Sequence, residues 1–337
     1  MHSLLIALAL TAATSEAQDV HVRVSPDVKT GIEGTTEFPT IQNALDHHPF
    51  AGPHYRVFIE IAPGTYHERI IVTQNHKNIT LLGMGKRPED TVITNSLNAK
   101  QAGGTFFTET AEINGDGFQA ANLTFENTAG NTGQAVAAAV RADHVIFRHV
   151  RFLGHQDTLF ADFGRQYYLE CFITGGVDFI FGNATAVFHH SELNANGPGF
   201  LTAQSRTSAD QTTGYVIADS RVTSSWQRCP ADASCTPPAG GTIGLGRPWR
   251  PYSRVIFLNT ELHAEIDPAG WDHWGKASNE ATTFYAEQGS TGPGVSPMTR
   301  APWAHALTPA QLRTFAPAQF LRGTDNWQPL TDALKLP

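Results

Sequence analysis

A chain of 337 residues with 41% hydrophobic and 16% charged residues has the make-up of a folded globular protein. Its formal net charge of −8 comes without a basic run, which argues against nucleic acid or an anionic membrane surface as a partner. A fully ionised polyanion is an equally poor partner unless its acid groups are masked.

Residues 3–13, SLLIALALTAA, are apolar but too short to span a bilayer, and Ser15 and Ala17 supply small residues at −3 and −1 of a cleavage site before Gln18. This predicts a secretory signal over 1–17, although no Lys or Arg precedes it, and an exported mature chain over 18–337 forming one domain. Ile41, Ala44 and Leu45 fall at helical spacing and predict a short amphipathic helix over 38–47. Residues 55–61, YRVFIEI, alternate as a strand, and Pro63-Gly64 turns the chain into Ile70-Ile71-Val72.

Short apolar runs broken by Gly, Asn or Asp then recur: ITLLG at 79, FQAANLTFEN at 118, HVIFRHVRFLG at 144, YYLECFITGG at 167, TAVFHHSEL at 185, GYVIADSRV at 214 and RVIFLNTEL at 254. Aligning Leu123, Val150, Ile173, Leu193 and Val222 gives steps of 27, 23, 20 and 29 residues with no helical pattern between them. Parallel strands in an α/β protein need crossover helices, so steps this short predict the coils of a parallel β-helix. A β-sandwich also has many short strands, but its Asn-Gly and Asp-Gly hairpin signals are sparse here.

Residues 223–241, with Pro230, Pro237 and Pro238, read as a long excursion from the coils. Past Pro293 the strand pattern fades; Thr308 as cap and Pro309 at the first helical position predict a short helix, in a tail that packs back on the coils. Cys171, Cys229 and Cys235 make an odd count: the latter two are placed to close the excursion, whereas Cys171 reads as a small packed apolar residue. No Cys and His spacing matches a zinc site.

Chemistry is densest in GHQDTLFADFGRQYYLECFITGGVDFIFGNA, residues 154–184. Asp157 lies in a polar turn, whereas Asp178 lies among Val177, Phe179, Ile180 and Phe181, where a lone carboxylate is hard to keep ionised. Two acids lodged so differently suggest two protonation states and two roles; taken singly, a turn cap and a structural ion pair explain them as well. Gln134 and Gln156 are 22 residues apart, and Asp157 and Asp178 are 21 apart, so stacked coils can bring each pair together on one face.

GTYHE at 64, QAVA at 134, GHQDTL at 154, DFIFGNA at 178 and LGRPW at 245, in this order, closely resemble the motifs of pectin methylesterases, the pectinesterases of carbohydrate esterase family 8. GTTEFPTIQNAL near 34, GW at 270 and EQGSTGPG at 287 extend the likeness over nearly the whole mature chain. The resemblance implies an all-β, right-handed parallel β-helix with short terminal helices, hydrolysing methyl esters of homogalacturonan without metal or cofactor. It implies pectin as partner, with no nucleic acid and no membrane, for a monomer secreted to the periplasm or medium.

On matching positions, the resemblance makes Asp178 the nucleophile, Asp157 the general acid and base, Gln134 and Gln156 the oxyanion donors, and Arg247 the partner of Asp178. It makes Trp249 a sugar platform and Phe106 a substrate contact, with Glu109 standing where a small residue is expected. Trp271 and Trp274 either extend the groove or pack the end of the coils. Ser191 stands where many bacterial relatives carry a Cys able to bridge to the position of Cys171, so that bridge is expected to be absent. His155 replaces a Tyr common in plant members, a change that bears on substrate contacts or pH dependence.

Other reactions fit less well. A glycoside hydrolase needs an acid at the glycosidic oxygen and has no task for two Gln donors. A pectate lyase needs an acidic calcium cluster. A silent polysaccharide-binding β-helix would share the aromatics without needing both Asp residues and Arg247, and a thioesterase could use the same residues on another acyl group.

Overall fold

In the strand Val57–Ile61 every second residue is buried, and the strands that continue its row arrive one coil later in the same register. The computed structural model describes residues 19–28, 36–47, 55–226 and 242–336. All strand pairings among the described residues are parallel. They form the three faces of a parallel β-helix. One face runs from Val57–Ile61 through Arg165–Leu169 to Phe284–Gln288, and a second from Gly64–His67 through Phe172–Gly175 to Glu261–Leu262. The third is a separate seven-stranded sheet: Ile70–Val72, Ala111–Ile113, Ala138–Arg141, Leu159–Phe163, Ile180–Gly182, Gly199–Gln204 and Ile243–Gly246.

The long strands Gln119–Asn127 and Val145–Leu153 serve both of the first two faces, bending at Asn122 (φ 54°) and His149 (φ 50°). Later coils turn the same corner at Glu170, His190, Asp219 and Asn259, all left-handed. Inside, side chains stack coil on coil: Phe147 lies 5.0 Å from Tyr168, and Tyr168 lies 4.6 Å from Phe188, in near-parallel planes. Each coil therefore buries its inward row on the next, which replaces the crossover helix of other parallel sheets.

The coils match the spacing of the apolar runs with one slip. Leu123 pairs with Val150, Ile173 with Leu193, and Leu193 with Val222 as expected, but Ile173 pairs with Phe152, not Val150. The slip is two residues, so inward residues stay inward, and apolar pattern alone does not distinguish the two registers.

The first helix is Ile41–His47, burying Ile41, Ala44 and Leu45; it starts later than expected because Phe38 belongs to the strand Glu37–Phe38. The helix Pro309–Thr314 is capped by Thr308, whose side chain accepts from the backbone of Gln311, and two further short helices follow at Pro317–Phe320 and Pro329–Ala333. Leu307, Phe315, Leu321, Ala333 and Leu336 from this tail cover Ile146, Tyr167, Val187 and Val216 on the outside of the first face. Arg165 pins the tail by bonding Asp143 and Asp325, and both carboxyls are held below their ordinary range by it.

Cys171 is buried with a free thiol, and its backbone N–H donates to Ser191 Oγ at 3.1 Å. The proposed signal segment and the Cys229/Cys235 pair lie outside the described residues. Phe147 contacts the rings of Phe118, Phe125, Phe152 and Tyr168, so Phe147→Ala should destabilise the chain by about 3–5 kcal/mol. Urea unfolding followed by circular dichroism checks this; a loss under about 1 kcal/mol would mean that the ring stack is not the core's main support.

Candidate active site

The seven-stranded face carries Ile71, Glu112, Ala139, Phe160, Phe181 and Ala203 in one lateral row. Val136, Ala139, Phe160, Phe181 and Ala203 make an apolar patch outside the main core, and Trp249 and Trp274 pack on it. Phe160 and Phe181 stack at 4.6 Å, Trp249 stands 5.9 Å from Phe181, and Phe106, 43% exposed, tilts against Phe160 at 4.9 Å. The result is an aromatic floor in which Phe160 and Phe181 are covered and Phe106 and Trp249 reach solvent.

The acids enter this floor from the turn before it. Leu159 pairs with Ile180, so Asp157 and Asp178, each two residues earlier, occupy equivalent places on adjacent coils, about 4.8 Å apart along the backbone. Both have left-handed backbones, φ 61° and 49°, a conformation that Asp tolerates better than most residues. Phe179 and Ile180 both enter the core, so strict alternation is broken just after Asp178. One step earlier, parallel bridges join Gln134 to Gln156 and Gln156 to Val177, stacking the two glutamines in the same turn.

Asp178 is 5% exposed, and Arg247 grips it through Nε at 2.9 Å and Nη2 at 2.6 Å. Burial raises the Asp178 carboxyl above the ordinary aspartate value, against the opposing hydrogen bond and charge of Arg247. Asp157 has no such partner: among the described residues no side-chain hydrogen bond reaches its carboxyl. Burial first, then the neighbouring charge of Asp178, push it up to about 8, with Arg247 acting the other way. Asp178 therefore ionises first and Asp157 keeps its proton at neutral pH. The side-chain amides of Gln134 and Gln156 likewise have no protein acceptor among the described residues. A carboxylate paired with Arg247, a second without a side-chain partner and two amides without a protein acceptor lie one turn before the aromatic floor, a set able to add a carboxylate to an acyl carbon and carry a proton.

The structure thus gathers Gln134, Gln156, Asp157, Asp178, Arg247, Trp249 and Phe106 at one end of a single sheet. Sequence reasoning missed Phe160 and Phe181, although each stands three residues after an acid and the two are 21 residues apart, as the acids are. Trp271 and Trp274 divide: Trp271 is buried and stacks on Tyr285 at 4.5 Å, a packing residue, whereas Trp274 stands on the groove patch. Glu109 is fully buried, bonded to Arg69 at 3.3 Å and Arg141 at 3.2 Å, and Arg141 lies 5.1 Å from the Phe160 ring. His155 bonds Asn196 at 2.9 Å, and a Cβ on Gly176 or Gly197 would come within 2.8 Å of its ring, so the glycines make a slot for it. Among the described residues no group of three or more His, Cys, Asp or Glu is placed to hold a metal ion.

A family model described as Pectinesterase matches residues 27–324. The chain belongs to the pectinesterase family. It is an enzyme, a carboxylic ester hydrolase of that family. It is 38% identical over 297 residues to Pectinesterase 31 of Arabidopsis thaliana, covering 85% of this chain and 87% of that one. Against several other curated relatives it spans only about half of their length, 52% for two from Citrus sinensis. Among solved structures, a pectin methylesterase from carrot superposes with a TM-score of 0.82 at 33% identity, covering 92% of this chain and 95% of that one. A pectin methylesterase solved in complex with a hexasaccharide gives 0.71 at 27% identity, covering 93% and 99%.

Carboxyl titration by ¹³C NMR should show one aspartate titrating at about 8. Asp157→Asn should remove that transition, and its persistence would assign the raised acid to another residue.

Proposed function

We propose that this pectinesterase-family enzyme hydrolyses the methyl esters of homogalacturonan to methanol and de-esterified pectate. The observation that carries the reading is the Arg247-gripped Asp178 beside a protonated, unpartnered Asp157 one coil away. The pectin methylesterases it resembles, one of them solved with a hexasaccharide, support the substrate. A methyl ester is uncharged, which suits a protein of net charge −8 whose groove holds the Asp178 carboxylate.

In this reading an Asp178 oxygen attacks the ester carbonyl carbon. The carbonyl oxygen takes negative charge and accepts hydrogen bonds from the Gln134 and Gln156 amides, neutral donors that do not neutralise the nearby nucleophile. Asp157 gives its proton to the leaving methoxide, the C–OCH3 bond breaks, and methanol departs. A covalent anhydride joins the galacturonyl carbon to Asp178. Asp157, now a carboxylate, takes a proton from water as that water adds to the same carbon. The bond to Asp178 then breaks, both acids return to their starting states, and the sugar leaves as a carboxylic acid. A pKa of about 8 suits a group that must both give and take a proton near neutrality. Phe106 and the half-buried Trp249 offer ring faces to the apolar faces of the sugar units, with the buried Phe160 and Phe181 packed beneath them.

The purified protein should release methanol from highly methylated pectin without creating reducing or unsaturated ends; new ends without methanol would favour chain cleavage. Asp178→Asn should abolish release while polymer binding persists, and Gln156→Ala should lower kcat about 10²–10³-fold. The pH profile should rise as Asp178 ionises and fall through about 8 as Asp157 loses the proton it must donate. EDTA should leave the rate unchanged, and a large reversible loss would require a metal in the mechanism.

A further inference from the structure

Arg247 is held by more than its carboxylate. Its guanidinium carbon lies 4.0 Å from the ring centroid of Trp274 and 4.9 Å from that of Phe200. The rings come from different parts of the chain, Phe200 from the strand Gly199–Gln204 and Trp274 from the segment after Glu261–Leu262. Nε and Nη2 bond Asp178, while Nη1 has no protein acceptor among the described residues. Beyond Asp178, side-chain hydrogen bonds do not fix the plane of the fork.

We propose that Phe200 and Trp274 are positioning residues, whose ring faces hold the Arg247 guanidinium in the plane that presents Asp178 for attack. This rests on the reading of Asp178 and Arg247 given above. A planar, weakly hydrated guanidinium stacks on aromatic faces, and rings against it displace the water that would otherwise weaken its pull on the carboxylate.

Both rings are themselves fixed. A Cβ on Gly244 would lie 2.4 Å from two Phe200 ring carbons, so the glycine leaves the space that the ring fills. Trp274 has a left-handed backbone, φ 58°, and its backbone N–H donates to Asp272 Oδ1 at 2.5 Å. Asn279 Nδ2 braces the preceding residue by donating to the His273 carbonyl at 3.0 Å. A tryptophan kept in that backbone state is being aimed, and its guanidinium contact says at what.

The competing role for Trp274 is a sugar platform like Trp249, and the two roles differ in what they change. A platform binds ground state and transition state alike and moves KM; a brace on Arg247 moves kcat and the ionisation of Asp178. Among the described residues the charged and titratable groups facing Asp178 are Asp157, Arg247 and Tyr285, and burial keeps the Tyr285 hydroxyl neutral far above the working range. The acid limb of the pH profile therefore reports Asp178 and its hold by Arg247.

The test is steady-state kinetics across pH on highly methylated pectin for Trp274→Leu, Trp274→Phe and Phe200→Leu, with thermal unfolding to show that each is folded. Trp274→Leu should lower kcat about tenfold, leave KM within about twofold, and move the acid limb to higher pH. Trp274→Phe should recover most of kcat and return the limb, and Phe200→Leu should act in the same direction with a smaller effect. A raised KM with kcat and acid limb unchanged overturns the proposal, as does an unmoved limb in both folded leucine variants. Should wild type release no methanol, or Asp178→Asn retain activity, the reaction reading itself fails; otherwise a negative result for the ring variants removes the brace alone.

Discussion

A carboxylate 5% exposed would stay protonated without a partner, and the two-point grip of Arg247 on Asp178 sets the electrical state of everything near it. Removing one member of such a buried pair costs about 3–5 kcal/mol, because the other charge is left uncompensated. The pair acts outward as well. The negative charge kept on Asp178 is one of the two forces that raise Asp157, so the difference between the acids is built from one ion pair and one strand spacing.

That spacing is supplied by the coils. Gln134 over Gln156, Asp157 beside Asp178, and Phe160 on Phe181 are the same geometric relation used three times, one coil apart, first for amides, then for acids, then for rings. The 21-residue step keeps Asp157 and Asp178 at the same place on neighbouring coils through the pairing of Leu159 with Ile180. Length variation is instead found at the turns: Val187 and Val216 pair across 29 residues, and Val216 and Ile256 across 40, while the step at the acids is 21.

Much of this was legible in the sequence because the steps between apolar runs are too short for helices, and because 22 and 21 residues separate the two pairs of polar groups. Membership of the family was legible in five ordered motifs. Less visible were features that depend on side-chain direction. Phe160 and Phe181 look like core residues in a run such as DFIF until the left-handed acid before them is known to break the alternation. The register slip at Ile173 preserved facing, so no hydrophobic pattern opposed it. Glu109 stands where a small residue was expected, and Arg69, just before the strand Ile70–Val72, and Arg141, at the end of Ala138–Arg141, converge on it, a pairing that the sequence does not display. The closing helices Pro317–Phe320 and Pro329–Ala333 are too short to show a period.

The positive φ at Asp157 and Asp178 has a bearing on how such sites are dissected. Asparagine visits left-handed backbone as readily as aspartate does, whereas alanine resists it, so an alanine at either place disturbs the corner as well as deleting the acid. Isosteric amides separate those two injuries. Scanning this groove with alanine would credit the carboxylates with effects that belong to the peptide chain beneath them.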